Sequence, residues 1–185
     1  MDKKLESIQA RFEEATTSEY PPLHLWQPLL SGDIDIAIHR DGTWYHEGDE
    51  IKRKTLVNLF ASILRREPDG DYYLVTPVEK WRIRVDLHPL LVTDVAWHKD
   101  SNPKVLQATL NTGRTIAIGQ SHPLFLEPRV GDVAAIELPY GLAALFSRSA
   151  WYRLVDMAQE HRGVPSIVSD GPIFPLAREK GEEYQ

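Results

Sequence analysis

Short alternating runs closed by glycine turns constrain this chain more than any other feature. Ile34, Ile36 and Ile38 alternate with Asp33, Asp35 and Ala37, so one face of that run is apolar and the other polar. Asp41-Gly42 follows, a dipeptide that admits positive φ and reverses a strand. Thr43–His46 then reads as the returning strand, closed by Gly48. The pattern recurs at Pro68-Asp69-Gly70, which leads into Tyr72–Thr76, and at Asn111-Thr112-Gly113. A period of two bounded by such turns predicts antiparallel hairpins.

Two helical patterns interrupt the strands. Over residues 52–66, Leu56, Leu59, Phe60, Ile63 and Leu64 form one apolar stripe, and Lys54, Asn58 and Ser62 form a polar row. Over residues 149–162, Trp151, Leu154, Val155 and Ala158 share a face, with Gly163 as a C-terminal cap and Pro165 beyond it. A third amphipathic helix is expected over 4–15, with Leu5, Ile8, Phe12 and Ala15 at helical spacing. Pro21-Pro22 ends it. The apolar segment from Pro22 to Pro28, containing Trp26, reads as a strap on the core.

After the turn at Pro77-Val78-Glu79, the strand 80–87 places Trp81, Ile83, Val85 and Leu87 on one face and Arg82, Arg84 and Asp86 on the other. Further strands are expected at 91–97, 105–110, 115–119, 133–138 and 141–146. The fold class is therefore α+β, two small domains of antiparallel hairpins with a helix each. The expected division is an N-terminal helix at 1–21, an α+β domain at 22–84, a β domain with a closing helix at 85–163, and a tail at 164–185. The tail is docked through Ile173, Phe174 and Leu176.

The 185 residues include no cysteine, which excludes disulfides, thiol catalysis and cysteine-ligated zinc. A net charge of −6 argues against a general nucleic-acid binder. No apolar run approaches the length of a membrane span, and the first residues lack the apolar stretch of a secretory signal. A cytoplasmic setting is the expectation.

Three clusters could carry chemistry. His39, Asp41 and His46 would meet at a hairpin end, either as metal ligands or as an ordinary solvated turn. Lys80, Arg82 and Arg84, downstream of Thr76-Pro77 and with Arg53 and Lys54 opening the helix, could present guanidinium groups to a phosphate or carboxylate. They could equally form a solvated face paired with Asp86 and Glu79. Ser147-Arg148-Ser149 opens the last helix, either as an anion site or as a simple cap. No catalytic motif and no cofactor fingerprint is present.

The run Ile38-His-Arg-Asp-Gly-Thr-Trp-Tyr-His-Glu-Gly48, then Arg53, Leu56-Val-x-Leu-Phe60 and Ile63-Leu-Arg65, continues as Asp69-Gly-x-Tyr-x-Leu-Val-Thr-Pro-x-Glu-Lys80. This resembles the bacterial family catalogued as domain of unknown function 1285. Arg148-x-x-x-Tyr152-x-Leu-Val-x-x-Ala158 is similar to that family's C-terminal end. The resemblance spans roughly residues 22–162. It implies two small domains, the second a bent sheet resembling a pleckstrin-homology fold closed by a helix. It also implies a nucleotide-like ligand held between the domains and a role in signalling. The family's motif positions correspond here to Asp41, Gly42, Trp44, Gly48, Arg53, Thr76, Pro77, Glu79 and Lys80.

The leading reading is thus a non-catalytic protein binding an anionic, nucleotide-based ligand, without metal or cofactor. Arg53, Thr76, Lys80, Arg82 and Arg84 would form its positive wall, and half-exposed Trp44 or Tyr152 would stack on a base. The alternatives are a protein-interaction module built on the pleckstrin-like domain, or a metal-dependent hydrolase using the histidine cluster.

Overall fold

The computed structural model describes residues 21–178, together with Glu6 and Ala10. The apolar stripe of the helix expected over 4–15 lies outside the described residues. The chain divides into two compact units, Met1–Pro89 with Pro139–Leu142, and Leu90–Leu138 with Ala143–Gln185. The division follows Pro89 rather than falling between 84 and 85, inside a strand.

In the N-terminal domain, β1 (Leu30–Ile38), β2 (Trp44–His46) and β3 (Asp49–Glu50) form a meander, followed by α1 (Lys54–Ser62). Next come β4 (Leu64–Arg66), β5 (Tyr72–Val75) and β6 (Lys80–Val85). They assemble as one sheet in the order β3-β2-β1-β6-β5-β4. The central pair, β1 and β6, is parallel and joins two antiparallel meanders. Ile34, Ile36, Ile38, Leu74 and Ile83 are buried, and so are Leu56 and Phe60 of α1. Alternation along β1 therefore supplies the core face that the amphipathic helix covers.

The helix is shorter than its periodicity predicts. It stops at Ser62, and Leu64–Arg66 pairs with β5 instead, Leu64 opposite Leu74. Leu56, Phe60, Ile63 and Leu64 suit a helical stripe, so period alone extends the helix. Ile63 and Leu64 are both buried, and the Ile63 carbonyl accepts from Val75 N at 3.0 Å, exchanging a helical bond for a sheet bond. The strap over 22–28 is present as a 3₁₀ turn, Leu23–Leu25, with Leu23 and Trp26 buried.

Three turns share one geometry. Gly42 N donates to His39 O, Gly70 N to Glu67 O, and Gly113 N to Leu110 O, at 2.8–2.9 Å. Each glycine has φ between 78° and 90°. This is the three-residue hairpin with a left-handed closing glycine. Asp41 Oδ1 accepts from Thr43 N and Asp69 Oδ1 from Asp71 N, both at 2.9 Å, so both aspartates act as turn formers.

The C-terminal domain begins with β7 (Leu90–Trp97), β8 (Leu106–Leu110), β9 (Thr115–Ile118) and β10 (Leu124–Glu127). It continues with β11 (Val133–Leu138), β12 (Leu142–Phe146) and α2 (Arg148–Asp156). The sheet runs β10-β11-β12-β7-β8-β9 and curls as a half-barrel, with β12 parallel to β7. Ser147 Oγ accepts from Ala150 N and caps α2, which buries Ala150 and Leu154. β10 was not expected: Pro123 and Pro128 flank its apolar run, so the stretch reads as a loop.

The last helix also ends early, at Asp156. Residues 159–178 are not a tail. β13 (Gln159–His161), β14 (Val164–Val168) and β15 (Ile173–Pro175) form a separate antiparallel sheet. Gly163, expected as a helix cap, sits with Arg162 in the hairpin turn between β13 and β14, both at positive φ. Buried Ser169 clips this sheet down: its Oγ accepts from Leu106 N at 2.8 Å and donates to Ile118 O at 2.6 Å. Phe174 and Leu176 are buried as expected, whereas Ile173 is 44% exposed. The architecture is two small α+β domains. No helix among the described residues is long and apolar enough to cross a membrane.

Candidate functional site

The central strand pair of the N-terminal domain is irregular. Asp33 stands opposite Arg82, but Ala37 stands opposite Arg84. β1 therefore advances twice as far as β6 between those partners. Such slips loosen pairing and re-aim side chains. A groove of about 690 Å³ opens there, lined by residues 33–35 of β1, 70–72 at the start of β5 and 82–85 of β6.

Every guanidinium in this groove faces carboxylate. Arg82 Nε donates to Asp33 Oδ1 at 2.8 Å and its Nη1 to Asp71 Oδ2 at 3.1 Å. Arg84 Nη2 donates to Asp35 Oδ1 at 2.6 Å. The hydrogen bond to Asp33, then that to Asp71, holds the Arg82 guanidinium more firmly protonated than usual. The positive wall expected from Arg82 and Arg84 is therefore neutralised by aspartates from β1 and the β4–β5 turn, not by Asp86 and Glu79.

The other expected residues have different tasks. Lys80 Nζ bonds Glu67 Oε2 at 2.9 Å and lies 4.9 Å over the Tyr73 ring. Glu67 Oε1 also accepts from Arg65 Nη2 at 2.5 Å. Burial pushes the Glu67 carboxyl up, but its bonds to Lys80 and Arg65 outweigh that and hold it below the usual range. Thr76 is fully buried, and its Oγ1 accepts from Glu79 N at 3.1 Å, closing the β5–β6 turn. Arg53 precedes α1, where its carbonyl accepts from Leu56 N and Val57 N. It does not line the groove.

Trp44 is only 2% exposed, with its ring 6.3 Å from Phe60. Sitting opposite Ile38 on the core face, it cannot stack on a bound base as expected. Tyr152 belongs to α2, is 54% exposed, and lies under the Arg148 guanidinium at 5.5 Å. His39 stacks on Tyr45 with ring centroids 4.3 Å apart. Among the described residues, no group of three His, Cys, Asp or Glu side chains is placed to hold a metal. The histidine cluster thus lacks the convergence that the hydrolase reading needs.

The helical period over 52–66 assigns Arg65 no role, whereas the structure places it on β4 and buries it. There it stands opposite Tyr73, a pairing that the helical pattern hides.

Tyr73 gives this face a spectroscopic handle. Its hydroxyl donates to Asp69 Oδ2 at 2.6 Å, and that bond, with burial, pushes its pKa up to about 12. Alkaline difference spectra are expected to show Tyr73 ionising at about 12 rather than at 10.0. Asp69→Ala should return it to the ordinary transition. Because the folded value is raised, this contribution to stability is complete below pH 10.0 and lost as pH rises through about 12. Spectra that Asp69→Ala leaves unchanged would refute the assignment.

The family model for the N-terminal domain of DUF1285, a domain of unknown function, matches residues 21–87. The C-terminal domain model of DUF1285, a protein of unknown function, matches 89–176. The chain belongs to the DUF1285 family. A crystal structure of a DUF1285 family protein from Silicibacter pomeroyi DSS-3 is 38% identical, with a TM-score of 0.81. That match covers 91% of this chain and 93% of the other. A DUF1285 family protein from Shewanella baltica OS155 is 27% identical, covering 65% of this chain and 90% of its own, with a TM-score of 0.53. No curated protein matches.

Proposed function

We propose that this DUF1285 protein is a non-catalytic binder of a small anionic, nucleotide-like molecule, taken into the β1–β5–β6 groove of the N-terminal domain. The observation that carries this is a groove opened by a strand slip and holding two adjacent guanidinium groups in exchangeable ion pairs. The side chains of Arg84 and Asp35 are 75% and 52% exposed. Exposed pairs contribute about 0–1 kcal/mol, so an incoming phosphate can displace the aspartates at small cost. Guanidinium groups then contact it bidentately. The released carboxylates of Asp33, Asp35 and Asp71 accept bonds from hydroxyl or amino groups, as a nucleoside supplies. A signalling role would act through occupancy of this groove.

A thermal-shift screen with nucleotides, cyclic nucleotides and phosphorylated metabolites tests the reading. A ligand at 100 times its Kd stabilises by about 2.7 kcal/mol. For a chain of this length that corresponds to about 5–10 °C. Arg84→Ala is expected to abolish the shift while leaving the unliganded melting temperature nearly unchanged, because its native pair is exposed. A panel without any shift would sink the proposal.

A second reading, a pleckstrin-like interaction module, draws on Val168 and Ile173. These cross-strand partners are 46% and 44% exposed. Crosslinking in extract would separate the native chain from a Val168→Asp, Ile173→Asp variant. Identical products would overturn it.

A further inference from the structure

The C-terminal domain holds a second concavity, of about 260 Å³, walled by separate elements. Trp97 ends β7, Pro103 and Lys104 come from the β7–β8 loop, Met157 from the end of α2, and Ser166, Ile167 and Val168 from β14. Gln159 and Gly171 complete the rim.

We propose that this pocket binds a small aromatic carboxylate, independently of the N-terminal groove. Its walls suit a ring: Trp97 offers an aromatic surface, Met157 a polarisable thioether, and Ile167, only 1% exposed, an apolar floor. The volume fits a single-ring molecule, being below the several hundred Å³ of pockets for drug-sized ligands. The charge pattern selects the anion. In a chain of net charge −6, none of the nine lining residues is acidic, and Lys104 is cationic. This contrasts with the N-terminal groove, where three aspartates accompany two arginines.

Lys104 is held in place. Its carbonyl accepts from Asp170 N at 2.9 Å, and its ammonium lies 5.9 Å over the Trp97 ring. The side chain of Asp170 packs against Gly119, where a Cβ would come within 2.8 Å of it, rather than lining the pocket. Ser166 Oγ is already committed to Val164 O at 3.0 Å. Lys104 and the Gln159 amide are therefore donors that a carboxylate can meet at the rim.

Titration of the full chain with phenylacetate, followed by amide and indole NMR shifts, tests this. Saturable shifts are expected at Trp97, Lys104 and 166–168. Lys104→Met keeps the aliphatic stem and removes the charge. It should weaken phenylacetate by about two- to fivefold, the scale of an exposed ion pair. Binding of the neutral phenylacetamide should be unchanged by that variant, and Met157→Gln should weaken both probes. Absence of saturation would overturn the proposal. So would shifts confined to Arg82 and Arg84, or equal affinity for the two probes with no effect of Lys104→Met. Shifts confined to Arg82 and Arg84 would overturn this pocket while favouring the N-terminal groove, and absence of saturation leaves the nucleotide screen untouched, so the two readings fail separately.

Discussion

Replacing Arg65 with alanine is expected to destabilise the N-terminal domain by about 3–5 kcal/mol, the usual loss when one partner of a buried charge pair is removed. Arg65 is 8% exposed and joins three things at once. One Nη1 donates to Leu23 O and to Trp26 O, both at 3.0 Å, fixing the strap to β4. Nη2 meets Glu67, which Lys80 also holds. Without the guanidinium, the buried Trp26 carbonyl loses that donor, the Leu23 carbonyl keeps only its bond from Trp26 N, and Glu67 keeps one cation in place of two. Arg65→Lys should recover little, since one ammonium cannot span the fork of acceptors. Urea denaturation measures the loss. A cost below about 1 kcal/mol would mean that the network behaves like a surface ion pair.

The same network sets an acid limit. Glu67 titrates below the usual range in the folded chain, so its contribution is present above the unfolded carboxylate pKa. It is lost as pH falls through the lowered folded value. Arg65→Ala should therefore flatten stability against pH in the acid region as well as lowering it at neutrality.

What could be read in advance divides by range. The hairpin at Asp41-Gly42 and the strand 133–138 were legible, because turn chemistry and alternation act over a few residues. The parallel pairing of β1 with β6 was not. Asp33 and Arg82 are partners across 49 positions, and nothing local in either strand marks the other. Arg82 and Arg84 were visible as a basic face, but their neutralisation depends on that pairing. Gly163 illustrates a different failure. A glycine after an amphipathic run suits a helix cap and a hairpin turn equally, and only the pairing of Gln159–His161 with β14 decides. The apolar run at 63–64 was ambiguous because burial on both faces erases the period, whereas 124–126 is half-buried throughout and its flanking prolines hide the strand.

Trp44 is the residue whose role changed most, and its substitution should be among the costliest. Truncating a buried aromatic to alanine costs about 3–5 kcal/mol, and Trp44→Ala should fall in that range. The ring lies beside Phe60 over the Ile36–Ile38 face. Its Nε1 is buried with no hydrogen-bond partner among the described residues. An unsatisfied buried donor carries a desolvation cost of about 1–3 kcal/mol. Trp44→Phe removes that donor while keeping a ring, so the relief offsets part of the lost volume. The phenylalanine variant should therefore stay within about 1.5 kcal/mol of the native chain, as volume-near apolar exchanges do. It should also respond to any ligand that the native chain recognises, because the indole faces the core. Thermal shifts measured on both variants decide the matter: a phenylalanine variant with native stability and no ligand response would return Trp44 to the binding surface.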